Sequence, residues 1–182
     1  SSPGRDSYRV YESRTGQAWS LYPDGLAQYI ANQWYHYFIR EIRTEIQSDP
    51  LRRVRQIPLV PAEHNRVLFL LSNQLMDYDS AQKKTRELKN VNDTGLGRFV
   101  EMTEARDGGL WITGARGLAK VEGPLRQISP NSNWRIEIVG DSLEVANLQR
   151  PFEDGQNLIA TVASDTRKPN QRVLLRFDGV NW

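Results

Sequence analysis

The sequence predicts an all-β chain, a β-propeller-type stack of about four blades, each a four-stranded antiparallel sheet, forming a partial propeller. Three observations predict it. Short apolar or alternating runs recur at residues 8–11, 17–21, 67–71, 97–102, 109–113, 134–139, 157–162 and 172–177, each bounded by Gly, Asp, Asn or Pro. Residues 16–29 and 109–121 align on one frame: a Gly turn, a strand carrying Trp19 or Trp111, a tight turn ending in Gly-Leu-Ala, and a second strand. Weaker copies at residues 66–79 and 156–178 put Phe69 and Ile159 at the anchor position, and the anchors return at roughly the 40–50-residue period of propeller blades.

The repeat has a physical reason. A sheet with two apolar faces cannot bury both alone, so such sheets stack around an axis and each face packs on a neighbour. The blades are placed at residues 6–50, 51–97, 98–147 and 148–182 of a single domain spanning 1–182. In the first, residues 9–11 form an inner strand, the Trp19 hairpin follows, and the β-formers of residues 34–39 begin an outer strand. A short helix is expected over 40–47. The second blade has its inner strand at 56–60, and its polar segment 83–89 is a loop or a solvated edge. The third has its inner strand at 99–102, and after Val121 it leaves the frame, so that residues 134–145 form an added hairpin or an altered outer strand. The fourth has its inner strand at 148–152 and a long segment at 163–171, and the chain stops at Trp182, where an outer strand should begin.

Composition narrows the function classes. Hydrophobic residues make up 38% and charged residues 25%, the ordinary make-up of a soluble domain, and five Trp and seven Tyr require a packed interior. A net charge of +2 with both signs interspersed is not the basic face of a nucleic-acid binder, and the densest basic stretch, Arg52, Arg53 and Arg55, reads as a solvated loop. The absence of cysteine excludes disulfides, cysteine-ligated zinc and thiol nucleophiles. No apolar run approaches the ~18 residues that span a bilayer, and no signal peptide is evident. The opening Ser1-Ser2-Pro3-Gly4, without Met, reads as a mature chain or an expressed piece.

A search for chemistry finds little. His36 and His64 are the only histidines, one in an aromatic strand and one in a turn, and no Gly-x-Ser-x-Gly elbow occurs. Residues 77–80 and 90–93 supply oxygen ligands without completing a calcium loop. Glu101, Glu104, Glu153 and Asp154 precede Gly turns and read as turn caps. Gly95-x-Gly97 and Gly114-x-x-Gly117 are too short for nucleotide fingerprints. No catalytic residue, metal site or cofactor is assigned. In the blade register the turns after the anchor strands share a rim, and their polar residues Asp24, Asn73, Arg116, Arg167 and Lys168 are the candidate ligand contacts, with solvated turns as the plainer reading. Trp34 joins them as a ring that could stack on a sugar, with blade packing as the plainer reading.

Residues 104–113, Glu-Ala-Arg-Asp-Gly-Gly-Leu-Trp-Ile-Thr, continued by Arg116-Gly117-Leu118-Ala119, resemble the two-component-regulator propeller repeat, and residues 29–34 and 177–182 resemble its continuation into a strand opening near Trp. The resemblance is strongest over 98–121, fair over 6–37 and weaker over 56–88 and 150–182. It implies the extracytoplasmic sensor region of a bacterial hybrid histidine kinase: a non-enzymatic ligand-binding propeller, periplasmic or extracellular, responding to a small ligand with carbohydrate as the first candidate. The alternatives are a protein-interaction scaffold and a propeller lyase or glycan hydrolase, the last needing convergent His and carboxylates at one rim. Four blades are fewer than such propellers usually hold, so the expected partners are a second copy of the chain or the remaining blades of a longer propeller, without nucleic acid and without a membrane segment in this chain.

Overall fold

Alternation of apolar residues along each strand decides how the chain stacks. In β6 (Arg66–Leu70), Val67 and Phe69 point to one side of their sheet and Leu68 and Leu70 to the other, and all four are fully buried. The computed structural model describes residues 9–13, 15–49, 57–155 and 158–182, and in it this two-sided burial builds four antiparallel sheets in chain order. The first holds β1 (Val10–Glu12), β2 (Ala18–Tyr22), β3 (Gly25–Ile30) and β4 (Gln33–Phe38), and α1 (Arg40–Ser48) follows it. The second holds β5 (Leu59–Glu63), β6, β7 (Gln74–Asp79) and β8 (Lys84–Asn90). The third holds β9 (Phe99–Glu104), β10 (Leu110–Gly114), β11 (Gly117–Val121) and β12 (Trp134–Ile138), then the single turn of α2 (Gly140–Leu143). The fourth has three strands, β13 (Val145–Glu153), β14 (Ile159–Asp165) and β15 (Arg172–Phe177).

The polar segment 83–89 is thus an outer strand rather than a loop, its exposed Lys84, Arg86 and Glu87 marking a solvated edge. Residues 134–138 are likewise an outer strand and not an added hairpin. Tyr8, Arg52, Arg53, Arg55, Gln56, Gln156 and Asn157, which figure in the sequence reading, lie outside the described residues.

The repeated Gly-Leu-Ala triplet has one structural meaning in both copies. A Cβ on Gly25 would lie 2.0 Å from the Tyr37 carbonyl oxygen, and one on Gly117 would lie 2.1 Å from that of Glu137. Only glycine lets the outer strand close onto the hairpin at these points. Leu26 and Leu118 then face the following sheet, while Ala27 and Ala119 lie on the opposite face, all of them buried.

Three apolar clusters fill the three junctions between successive sheets. Trp19, Leu21 and Leu26 meet Val67, Phe69 and Met76 in the first, with Ile42 of α1 closing one end. Leu68, Leu70 and Leu75 meet Phe99, Leu110 and Ile112 in the second. Trp111 and Leu118 meet Leu148, Ile159 and Phe177 in the third.

Each junction also carries a polar clamp. In the first, Gln28 Nε2 donates to the His64 carbonyl at 2.9 Å, and Ser80 Oγ donates to Gln28 Oε1 at 2.6 Å. In the second, Arg66 pairs with Asp77 at 2.7 Å and donates across the junction to the carbonyls of Leu125, Arg126 and Ile128. In the third, Trp111 Nε1 donates to Glu153 Oε1 at 2.7 Å, and the Arg106 backbone N–H donates to Glu153 Oε2 at 3.1 Å. The equivalent indole N–H of Trp19 is buried without a hydrogen-bond partner, so the clamps differ in chemistry from one junction to the next.

Arg66→Ala is expected to lower stability by about 2–4 kcal/mol, because Asp77 and three carbonyls lose a donor inside a packed junction. Urea unfolding followed by circular dichroism checks this. Arg167→Ala removes a pair with Glu144 between exposed side chains and is expected to change stability by less than about 0.5 kcal/mol in the same measurement.

Candidate functional site

Strand direction alternates, so each sheet's second-to-third-strand turn emerges at the same rim as the connector to the next sheet. Backbone bonds repeat this arrangement. Ile39 N–H donates to the Asp24 carbonyl at 2.9 Å, Val91 N–H to that of Asn73 at 2.8 Å, and Val139 N–H to that of Arg116 at 2.9 Å. Asp24, Asn73 and Arg116 therefore occupy equivalent places, and Arg167 and Lys168 lie in the corresponding turn of the fourth sheet. Most of their side chains or backbones are committed locally. Asp24 contacts His36 Nε2 at 3.1 Å, Arg116 pairs with Asp141 at 2.9 Å, and Arg167 pairs with Glu144. The backbone N–H groups of Arg167 and Lys168 both donate to Asp165 Oδ1, as in an ordinary Asx turn.

Trp34 lies elsewhere. It pairs in register with Tyr29, at the far end of the hairpin from the Gly25–Phe38 pair, which puts it at the opposite rim from Asp24. Its ring packs against Tyr29 at 5.2 Å.

Inside the rim, the innermost strands β1, β5, β9 and β13 border a cavity of about 850 Å³. Its polar lining includes Arg9, Arg98, Glu101, Gln149, Arg150 and Arg172. β13 is irregular here. Its pairing with β14 shifts register twice, between Ala146 and Gln149 and between Gln149 and Phe152, and Asn147 and Arg150 adopt φ of 54° and 52°. A non-glycine residue in that region costs about 1 kcal/mol or more and needs outside support. Arg150 has some, since its backbone N–H donates to Glu101 Oε2 at 2.7 Å. Arg172 Nη1 donates to Ser164 Oγ at 2.9 Å, and the Arg9 guanidinium lies 4.8 Å from the centre of the Tyr11 ring.

The sequence reading did not single out Arg98 or Arg150. A period-2 reading of residues 148–152 assumes a regular strand, and a bulge re-aims the side chains that such a reading assigns. One signal was present: Arg150-Pro151 inside a strand, where proline is confined to edges and bulges.

A second groove, of about 750 Å³, opens where the third sheet meets the fourth. There Lys120 Nζ lies 2.5 Å from Asp107 and 4.9 Å from the Trp111 ring centre. Partial burial pushes the Asp107 carboxyl up. The hydrogen bond from Lys120 and the Gly109 backbone N–H outweigh that and hold it below its ordinary 3.8. Lys120, Asp107, Trp111 and Glu153 all have partners here, and the groove is a structural seam. Among the described residues no three His, Asp or Glu side chains come together as a metal site, and His36 and His64 belong to different sheets.

No family model matches the sequence, and no curated protein matches it. Solved structures do share the fold. An extracellular domain of a hybrid two-component system from B. thetaiotaomicron superposes with a TM-score of 0.57 at 12% identity, over 96% of this chain and 23% of that one. A luciferin-regenerating enzyme superposes with a TM-score of 0.58 at 12% identity, over 94% of this chain and 61% of that one. The extracellular domain of a one-component system from B. thetaiotaomicron gives 0.45 at 12% identity, over 93% of this chain and 30% of that one. The chain thus spans less than two thirds of the length of each. At such identities the likeness is one of fold, and the fold serves both a signalling receptor's outer domain and an enzyme.

The Asp107 carboxylate adds stability above its unfolded-state value near 3.8 and loses that contribution as the pH falls through its lower folded value. Asp107→Asn is therefore expected to melt below the wild type near pH 6, with the gap narrowing as the pH falls below 3.8. Differential scanning calorimetry across that range checks it.

Proposed function

We propose that this all-β chain is a ligand-sensing part of a propeller in the extracytoplasmic region of a bacterial two-component signalling protein. It binds a small polar ligand and has no chemistry of its own. The observation that carries this reading is the inner-strand cavity, whose lining includes Arg9, Arg98, Arg150 and Arg172, while the polar clamps of the junctions are already paired. Propeller ligands characteristically meet a rim or the central channel, and the cavity bordered by the innermost strands is the candidate of the second kind; Asp24, Asn73, Arg116, Arg167 and Lys168 lie at a rim and do not line it. The shared fold with an extracellular domain of a hybrid two-component system supports it as well. No helix among the described residues is long and apolar enough to cross a membrane. Carbohydrate is the first ligand class to test.

A second reading, an interaction scaffold, is favoured by the two outermost sheet faces. The first sheet turns Tyr29, Trp34 and Phe38, exposed by 43%, 41% and 58%, away from the second sheet. The fourth exposes Phe152 and Leu174 by 45% and 65% on its outer side. Both readings require these faces to be covered, by a second copy of the chain or by further blades.

A thermal-shift screen of mono- and oligosaccharides separates the readings, since a ligand that binds only the folded chain raises its melting temperature. A rise that saturates with concentration is expected for the sensor, and none for a scaffold. Light scattering is expected to give a mass above the 20.9 kDa of one chain, and Phe38→Asp to return it toward that value.

A further inference from the structure

Building on the sensing reading, we propose that the inner-strand cavity is an anion site whose ligand carries two or more carboxylate groups. The argument starts from charge. Four arginines, Arg9, Arg98, Arg150 and Arg172, line one concave space of about 850 Å³. Three carboxylates share it, Asp49, Glu101 and Glu104, and the arginines outnumber them. Glu101 accepts the Arg150 backbone N–H, and Asp49 and Glu104 each have partners. Among the described residues Arg98 and Arg150 form no ion pair, Arg172 meets only a hydroxyl, and Arg9 lies over an aromatic ring. An excess of one charge around one concave space favours ions of the opposite sign, and guanidinium forks bind carboxylates with two parallel hydrogen bonds.

The backbone supports the same conclusion. Arg150 reaches the cavity because β13 is bulged, and the bulge holds Asn147 and Arg150 in the left-handed region against their preference. Glu101 supports that conformation by accepting the Arg150 N–H. Several arginines at one site bind a ligand with several anionic groups better than a single carboxylate, because each fork engages a separate group.

Citrate is the probe, titrated into the full chain by calorimetry at fixed ionic strength. The wild type is expected to bind it, and Arg98→Ala and Arg150→Ala each to weaken binding by about tenfold or more. Arg176→Ala, which removes an exposed arginine paired with Asp154 away from the cavity, is expected to leave the affinity unchanged. Both cavity arginines are exposed, so the melting temperatures of the variants are expected to match the wild type. No heat with citrate, or equal affinity in the two cavity variants, overturns the anion site. Maltotriose serves as the neutral control. If it binds with an affinity lowered by Gln149→Trp but untouched by Arg98→Ala, the anion assignment fails while the sensing reading stands. If neither probe binds and the saccharide screen is also silent, both fail.

Discussion

Every inner sheet of this chain must bury two faces at once, and most of the architecture follows from that requirement. β6 meets it by placing Val67 and Phe69 in one junction and Leu68 and Leu70 in the next, which is why its sequence is a continuous apolar run and not an alternating one. The terminal sheets meet it on one side only. Their outer faces keep the same alternation with nothing described against them, and Tyr29, Phe38 and Leu174 stand exposed where their counterparts in inner sheets are packed.

Apolar packing alone does not fix how one sheet sits on the next, because hydrophobic contact is not directional. The clamps supply direction. Gln28, Arg66 and Glu153 each tie a strand of one sheet to backbone or side chain of its neighbour. They use an amide, a guanidinium and a carboxylate for one architectural task, so a search for repeated residues at these positions finds none. The rim and the cavity inherit their geometry from these three junctions, since the turns and innermost strands that form them belong to separate sheets.

Much of this was legible in the sequence. The Gly-Leu-Ala triplets could be read because their three residues face three hard constraints: a close backbone approach at Gly25 and Gly117, a forward junction at Leu26 and Leu118, and a backward face at Ala27 and Ala119. The rim could be read because hairpin connectivity alone sends Asp24, Asn73 and Arg116 to one end. The cavity could not. Which inner-strand residues face the axis depends on register, and two register shifts in β13 undo any count made from the sequence. Trp34 was singled out on ring chemistry alone, and its position along β4 puts it at the rim opposite Asp24. The helix expected over 40–47 from Glu41, Ile42 and Glu45 stands at Arg40–Ser48, yet its use as a plug for the first junction emerges only in three dimensions.

The bulged strand β13 joins two parts of the molecule that have so far been treated apart. Arg150, at the lip of the cavity, and Glu153, in the third clamp, are three residues apart on it, with Pro151 between them limiting backbone rotation. The cavity lining and the carboxylate that holds Trp111 and the Arg106 backbone therefore share one short stretch of strand, and an insertion or deletion in the bulge would displace both.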